Sequence, residues 1–376
     1  MKTRAAVLSE MELPPPYAVS RPLSIEELEL TAPEDGEVLV QIAAAGLCHS
    51  DLSVINGSRP RVMPLVLGHE ASGIVREIGR GVADLKEGDH VVFSYVPMCG
   101  RCLPCVTGRP SLCEPGARAN IAGTLLTGKR HFLGSKGREL HHHLGVSAFS
   151  QFTVAAPESL VKIDPTVPMD KAALFGCAVV TGVGAVMNTA RVEPGTAVAV
   201  FGMGGVGLSA VMGAKAAGAY PIIAVDTLAA KLDIAKRAGA SHTVNGSVED
   251  SVKVIRGLTD GGAGVAFEAV GNEKVLAQAY AATRRGGKTV AIGLAHHSRE
   301  VSIPAVSLVT EERTLMGSYM GSAVPQRDVP RFIKMYQSGL LPVDLLYSRT
   351  ITLDQINESF DALDKGSVVR QIVSFA

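Results

Sequence analysis

The feature that most constrains the fold is a glycine-rich turn between an apolar strand and an alanine-rich helix. The segment VAVFGMGGVG places Gly202, Gly204 and Gly207 in GxGxxG spacing. One glycine permits a tight turn, one lets the backbone approach a pyrophosphate, and one lets helix and strand pack closely. Amides at the helix N-terminus, at Gly205 and Val206, then face the phosphates. The pattern predicts a dinucleotide site.

A second strand supports this site. The segment YPIIAVD ends in Asp226, about where a carboxylate accepts hydrogen bonds from the adenosine ribose. Because a 2′-phosphate would meet that negative charge, the acid favours NAD over NADP. Lys231 either reaches the same ribose or is a solvated helix lysine, and the sequence leaves both possibilities open.

The pattern of predicted strands and helices changes near residue 195. From Gly195 onward, apolar strands alternate with alanine-rich helices, which predicts an α/β domain with a parallel sheet covered on both faces. The preceding residues contain short strands separated by turns, which predicts a β-rich domain. A mixed tail follows residue 321. With 376 residues, 47% of them hydrophobic, two domains are expected.

Composition narrows the partners and the compartment. The 36 basic and 36 acidic residues cancel, so charge favours neither nucleic acid nor a membrane surface and a small-molecule partner is expected. Charges and prolines at the N-terminus do not fit a secretory signal, so a cytoplasmic protein is expected. Two uncharged segments, residues 172–190 and 197–214, are long enough to span a bilayer, but their glycine and alanine content favours buried elements.

Four of the six cysteines lie in CGRCLPCVTGRPSLC. Their CxxCxxCx7C spacing is typical of a closed tetrahedral zinc site, which is structural rather than catalytic. An iron–sulfur cluster is the rival, but ferredoxin motifs place the fourth cysteine three residues on, before a proline. Here the gap is seven and Glu114 follows. The sequence predicts structural zinc on Cys99, Cys102, Cys105 and Cys113.

The other two cysteines allow two interpretations. Cys48 lies in GLCHSD, His69 in GHE and Cys177 in FGCAVVTG. Two thiolates and one imidazole would make an open zinc site whose fourth position is free for water or substrate. Taken singly, cysteines such as Cys48 and Cys177 are more often small core residues, and a histidine such as His69 is more often a satisfied buried one; spacing alone leaves the choice open.

Together these motifs resemble the zinc-dependent medium-chain alcohol dehydrogenases, closest to long-loop class I and class III-like members with a structural-zinc lobe. The matching segments run along the chain: GLCHSD, GHE, the four-cysteine lobe, HHHLGVSAFSQFTV, GCAVVTGVGA, FGMGGVGL and GSVVRQIV. The resemblance implies two zinc ions per chain, with Cys48, His69 and Cys177 on the catalytic ion. It implies a GroES-like catalytic domain, residues 1–178 and 321–376 with a lobe at 97–115, and a Rossmann domain at 179–320.

The resemblance also implies roles around the two cofactors. Asp51 would orient His69, and Glu70 would lie near the metal. The residues expected to contact NAD are Thr181 at the nicotinamide, Arg370 and His49 at the pyrophosphate, and Leu294. Ser50 would accept the alcohol proton. Family members place a histidine five residues after the first cysteine, whereas Ser53 stands here; His49 or bulk water would then complete the relay.

The implied substrate pocket contains Tyr95, His143, Leu294 and Tyr319, with Arg59 at its mouth. The glutathione-dependent formaldehyde class carries an acid where Arg59 stands and an arginine near Ala117, so glutathione adducts are disfavoured. Aromatic walls suit medium-length or benzylic primary alcohols and their aldehydes. Arg59 either attracts a distal carboxylate, as in an ω-hydroxy acid, or is an exposed arginine without a ligand.

The expected function is therefore reversible, NAD-dependent oxidation of a primary alcohol to an aldehyde, through a zinc-bound alkoxide and hydride transfer to nicotinamide. Two alternatives stay open: a zinc-less quinone or enoyl reductase of the same superfamily, and a non-catalytic NAD-binding sensor or structural protein. Relatives pair through the edges of their Rossmann sheets, so a homodimer or homotetramer is expected.

Overall fold

The structure, a computed structural model, describes residues 1–375. Its strands are β1 (Lys2–Leu8), β2 (Leu23–Leu30), β3 (Val38–Gly46), β4 (Leu65–Val66), β5 (Glu70–Ile78), β6 (His90–Phe93), β7 (Phe132–Leu133), β8 (Glu139–His142), β9 (Phe152–Ala155), β10 (Leu160–Lys162), β11 (Val198–Phe201), β12 (Ile222–Asp226), β13 (His242–Asn245), β14 (Ala263–Glu268), β15 (Thr283–Ala291), β16 (Thr314–Gly317), β17 (Tyr347–Ile351) and β18 (Arg370–Ser374).

The α-helices are shorter in the first half of the chain than in the second. They are α1 (Tyr17–Ser20), α2 (His49–Ile55), α3 (Leu103–Val106), α4 (Glu114–Ala122), α5 (Met169–Ala172), α6 (Ala178–Gly184), α7 (Gly205–Ala216), α8 (Ala229–Ala238), α9 (Ser251–Leu258), α10 (Glu273–Ala282), α11 (Ala305–Thr310), α12 (Pro325–Gln337) and α13 (Ile356–Asp364). A π-helical segment, Ala185–Ala190, follows α6.

The chain divides into two compact units. Unit 1 contains Met1–Cys177, Val324–Pro330 and the residues from Tyr347 onward, and unit 2 contains Ala178–Ala323 and Arg331–Leu346. The predicted division gave 321–376 wholly to the first domain. In the structure, residues 331–346 group with unit 2, and the turn Val343–Leu346 at the end of this stretch packs on α7 and α8.

Unit 1 is built from two antiparallel-rich β structures. A closed barrel has the order β1-β2-β7-β8-β4, and a seven-stranded sheet has the order β10-β6-β5-β3-β18-β17 with β9 also paired to β3. Buried apolar side chains from β1, β2, β7 and β8 fill the barrel. The predicted β-rich, GroES-like domain is confirmed.

Unit 2 carries one six-stranded sheet in the order β13-β12-β11-β14-β15-β16, and every described pairing in it is parallel. All six residues of β14 are buried, and so are the first four of β12. Such continuously apolar strands require cover on both faces, which alternating helices provide. The predicted Rossmann architecture is confirmed.

The two long uncharged segments fold into short elements. Residues 197–214 form β11, the glycine turn and most of α7. Within residues 1–375, no single helix is both long and apolar enough to cross a membrane; only the bent pair Met169–Gly176 and Ala178–Ala190 passes by length and composition.

Candidate active site

Three remote residues converge in unit 1. Cys48 precedes α2, His69 precedes β5, and Cys177 follows a short helical turn. One ligand atom from each lies within 4.8 Å of the other two, and His69 Nε2 is 3.3 Å from Cys177 Sγ. All three side chains are buried. Two sulfurs and one nitrogen in this arrangement fit a zinc ion and leave one tetrahedral position open.

The pairing of β3 with β5 explains part of this convergence. Gly46 pairs with Glu70 in an antiparallel register, so the residue before Glu70 and the second residue after Gly46 emerge at the same end of the sheet. Those residues are His69 and Cys48. Ordinary strand pairing thus brings together two ligands that are far apart in the sequence.

Asp51 orients the imidazole of His69. Asp51 Oδ1 accepts from His69 Nδ1 at 2.9 Å, and Oδ2 accepts from the backbone amide of Cys48 at 3.3 Å. A proton on Nδ1 leaves the Nε2 lone pair free for a metal. Burial alone would lower the pKa of His69, but Asp51 and Cys48 outweigh it and raise the pKa to about 10. The same field favours a bound cation.

The two thiols form a coupled pair. The hydrogen bond from Cys177 and the charge of Arg370 hold the pKa of Cys48 well below its ordinary value, although burial opposes this. The neighbouring Cys48 sulfur and burial raise the pKa of Cys177. Without metal the pair therefore shares one proton, which a zinc ion would displace.

Arg370 supplies the balancing positive charge. Its Nε donates to Glu70 Oε1 at 3.2 Å and an Nη donates to Cys48 Sγ at 3.4 Å, and its side chain is only 3% exposed. Gly46 makes room for this pair, because a Cβ there would lie 2.4 Å from Glu70 Oε1. The expected contact of Arg370 with a pyrophosphate stays a prediction.

The four-cysteine lobe forms a second cluster. The sulfurs of Cys99, Cys102, Cys105 and Cys113 lie within 4.8 Å of one another. Backbone amides of Cys99 and Gly116 donate to Cys113 Sγ at 3.3 and 3.4 Å and oppose the burial that raises the pKa of this thiol. Four sulfurs with no other ligand fit a closed structural zinc site.

Two predicted pocket residues lie against His69. Its ring centroid is 5.6 Å from that of Tyr95 and 5.8 Å from that of His143, both edge to face. Burial, reinforced by the charges around it, lowers the pKa of His143 well below its ordinary value. Leu294 and Tyr319 belong to unit 2, so their place in a shared pocket stays a prediction.

The glycine loop in unit 2 has the geometry that the motif requires. Gly202 has a φ of +91°, at the turn after β11. A Cβ at Gly207 would lie 1.7 Å from the carbonyl oxygen of Gly202. The third glycine of the motif therefore lets the helix pack closely on the turn. A Cβ at Gly204 would meet nothing within 4 Å, which leaves its backbone open to a ligand. The loop fits NAD.

Asp226 is braced against this loop. Its Oδ2 accepts from the amide of Met203 at 2.6 Å, and Oδ1 accepts from the amide of Leu228 at 3.0 Å. The carboxylate thus lies at the end of β12, beside the glycine turn, where a ribose is expected. Lys231 is half-buried on α8, and both interpretations of it remain open.

The remaining predicted residues are placed but untested in their roles. His49 is exposed and Ser50 half-buried in the first turn of α2, and Thr181 is buried in α6 of unit 2. Ser53 Oγ donates to the carbonyl oxygen of His49 at 2.9 Å, so its proton serves a helix hydrogen bond.

Sequence reasoning missed Glu268 at the end of β14. This buried carboxylate accepts from the amides of Val270 and Gly271, each at 2.7 Å, and burial raises its pKa. The loop it holds contacts the glycine turn, since a Cβ at Gly202 would lie 2.6 Å from Val270 Cγ2. The signal available in the sequence was an acidic residue at the end of a strand that lies beside the strand leading into the glycine turn.

Comparisons with known proteins agree with this geometry. The alcohol dehydrogenase GroES-like domain model matches residues 34–165, and the zinc-binding dehydrogenase model matches residues 205–338. S-(hydroxymethyl)glutathione dehydrogenase of Synechocystis sp. is 39% identical over 379 residues, covering 100% of both chains. The chain belongs to the zinc-dependent medium-chain alcohol dehydrogenase family. Alcohol dehydrogenase class-3 of Pisum sativum is also 39% identical, over 94% of this chain and 95% of its own.

Solved structures of family members superpose along the whole chain. An alcohol dehydrogenase zinc-binding domain protein from Burkholderia ambifaria gives a TM-score of 0.94 at 34% identity, covering 100% of this chain and 99% of its own. Benzyl alcohol dehydrogenase from Acinetobacter calcoaceticus gives 0.91 at 33% identity, covering 100% of both. The predicted zinc- and NAD-dependent alcohol dehydrogenase is confirmed at the level of the family.

Proposed function

We propose that this dehydrogenase reversibly oxidises medium-length or benzylic primary alcohols to aldehydes. The observation that carries the proposal is the convergence of Cys48, His69 and Cys177 on one open metal position. The rings of Tyr95 and His143 pack against the ring of His69, one of the three ligands. The likeness to a benzyl alcohol dehydrogenase supports an aromatic-lined pocket.

Zinc on these three ligands would supply a Lewis acid that favours the ionised alcohol, and NAD would supply the hydride acceptor. The chain's own residues prepare this chemistry. Asp51 fixes the His69 ring, and Arg370 offsets the charge of Cys48. Ser50 would accept the alcohol proton and pass it to His49 or to bulk water. Ser53 takes no part, because its hydroxyl is bonded to the carbonyl of His49.

Glutathione adducts are not the proposed substrate, although one relative is named for that activity. That class carries an acid at the position of Arg59 and an arginine near Ala117, whereas this chain has an arginine and an alanine at those two positions, with Arg118 next along the chain. An arginine at position 59 offers the ammonium group of glutathione no carboxylate to pair with.

Two measurements test the proposal. The first is a panel of alcohols and aldehydes, assayed in both reaction directions with NAD and with NADP. The second is an analysis of the zinc content. We expect NAD-linked turnover of benzyl alcohol and about two zinc ions per chain, one for each cluster. Cys177→Ser should lose turnover and one zinc. Turnover that survives removal of all zinc would favour a zinc-less reductase, and NAD binding without any turnover would favour a sensor.

We also propose that the protein is a cytoplasmic homodimer or homotetramer joined at the edge of the unit 2 sheet. β16 is an edge strand, and the preceding helix α11 buries none of its residues. Val306 and Val309 are 67% and 79% exposed. Replacing both with Asp should yield monomers in light-scattering chromatography. The two thiol clusters suit a reducing compartment, which fractionation of the native cells tests.

A further inference from the structure

Three hydroxyl groups of unit 2 meet beside one end of its sheet. Thr189 Oγ1 lies 2.8 Å from Ser318 Oγ and 2.8 Å from Ser322 Oγ. A hydroxyl has one proton and two lone pairs, so Thr189 can donate to one serine and accept from the other. Ser318 is buried, and the other two residues are half-buried. Thr189 is thus the link that joins the two serines.

The segment that this hydroxyl cluster holds has an unfavourable backbone. Met320, Gly321 and Ser322 have φ values of +52°, +63° and +49°. Three consecutive residues are therefore left-handed, and two of them carry a Cβ, for which this conformation is costly. Such a turn persists only where its surroundings hold it in place.

The contacts that hold the turn come from α6 and from the π-helical segment after it. A Cβ at Gly321 would lie 2.3 Å from the carbonyl oxygen of Val180, so the turn packs directly on the backbone of α6. Asn188 Nδ2 donates to the carbonyl oxygen of Gly321 at 3.3 Å. Asn188 and Thr189 both lie in the π-helical segment, so one short element supplies both side-chain contacts to the turn. π-Helical turns are rare and frequently occur at functional sites.

The strand order relates this turn to the dinucleotide site. The order β13-β12-β11-β14-β15-β16 is the Rossmann order 3-2-1-4-5-6, in which a dinucleotide lies across the carboxyl ends of the strands at the switch point between β11 and β14. The glycine turn and Asp226 follow β11 and end β12, where the adenosine half is expected. The nicotinamide half is then expected over the ends of β14, β15 and β16. Ser318 directly follows β16, and its amide donates to the carbonyl oxygen of Ala291, the last residue of β15, at 2.9 Å.

We propose that Thr189 is a positioning residue for the nicotinamide half of NAD. It holds Ser318 and Ser322 on either side of residues 319–321, so the segment after β16 is already ordered when the cofactor arrives. A segment that has to be ordered on binding reduces affinity, and prior order removes that loss. The inference concerns cofactor binding and goes beyond the proposed alcohol substrate.

Two ligands that differ at the nicotinamide test this on the zinc-loaded enzyme. ADP-ribose has the adenosine, pyrophosphate and second ribose of NADH but lacks the nicotinamide ring, and calorimetric titration gives the dissociation constant of each. Thr189→Val keeps the branched shape and removes the hydroxyl. We expect it to raise the dissociation constant of NADH about fivefold, because the cofactor must then order the turn, and to change that of ADP-ribose less than about twofold.

Two further variants and a matched control sharpen the test. Thr189→Ser retains the hydroxyl and should restore the NADH affinity, whereas Ser322→Ala removes a partner hydroxyl and should repeat the selective loss. The control is Thr259→Val, because Thr259 is also half-buried and its hydroxyl donates to the carbonyl oxygen of Ile255 at 2.6 Å. Thr259 lies between α9 and β14, at the amino end of the sheet, so both dissociation constants should stay unchanged.

Two results would overturn the inference. One is an unchanged NADH affinity in both Thr189→Val and Ser322→Ala. The other is an equal loss of affinity for NADH and ADP-ribose, since the cluster would then support the fold of unit 2 and not the nicotinamide half in particular. Neither measurement involves alcohol oxidation, so a failure of the proposed function is distinguishable from a failure of this inference.

Discussion

The β-barrel of unit 1 contains a histidine whose effect on stability can be calculated. His142 on β8 is 2% exposed, its ring lies 5.1 Å from that of Phe132 and 6.3 Å from that of His131, and neither nitrogen has a hydrogen-bond partner in residues 1–375. Burial, together with the neighbouring His131, lowers the pKa of His142 to about 3 from 6.5. The folded barrel therefore keeps this imidazole neutral.

This lowered pKa makes stability fall in acid. The unfolded chain takes up a proton on His142 below pH 6.5, and the folded chain does so only near pH 3. Between those limits the unfolded state is favoured by about 1.4 kcal/mol per pH unit, which amounts to roughly 2 kcal/mol at pH 5. Below about pH 3 the loss levels off.

His142→Leu removes the titrating group and should remove this dependence. The free energy of unfolding of the variant, relative to the parent, should rise by about 2 kcal/mol between pH 7.5 and pH 5. This difference is measured by urea unfolding of the holoenzyme, monitored by far-UV circular dichroism. Because the variant and the parent share every metal ligand, the titration of those ligands cancels in the comparison. His297→Leu, at an exposed histidine, is the control. A difference between His142→Leu and parent that is constant with pH would refute the reasoning.

Three further predictions concern the sites. Cys105→Ser should lose one zinc by elemental analysis and lower the melting temperature, because the lobe depends on four sulfurs. Gly46→Ala should speed the loss of zinc to a chelator, because the added Cβ displaces Glu70 from Arg370. The control is Gly257→Ala, where a Cβ meets nothing within 4 Å, and it should not change the rate of zinc loss. Asp226→Asn should reduce the preference of kcat/KM for NAD over NADP about tenfold, while its amide oxygen can still accept from the loop.

Local patterns made the nucleotide loop, the four-cysteine lobe and the fold class predictable. The glycine spacing, the strand before it and Asp226 together describe one βαβ unit, and all are set within about 30 residues of chain. The CxxCxxCx7C run is equally local. Because such motifs bring their residues together by short-range backbone geometry, their arrangement can be inferred without tertiary contacts.

The other contacts depend on long-range strand pairing and could not be predicted from local patterns. Nothing in the sequence indicates that Arg370 donates to Cys48 or that His142 ends up without a partner. Both facts depend on which strands become neighbours and on their register, and barrel closure through β4 and β8 is a pairing of very short strands. Periodicity predicts strands but does not fix their partners.

The register of β3 is what assembles the metal centre. Gly46 pairs with Glu70 on one side and with Ile372 on the other, in antiparallel fashion on both. Continuing each register places His69 and Arg370 beside the turn that carries Cys48. A slip of one residue on either side would turn the alternate side chain toward the site and separate sulfur, nitrogen and guanidinium. Metal affinity and the docking of β18 are therefore coupled, so zinc should stabilise a strand that contributes no ligand to it.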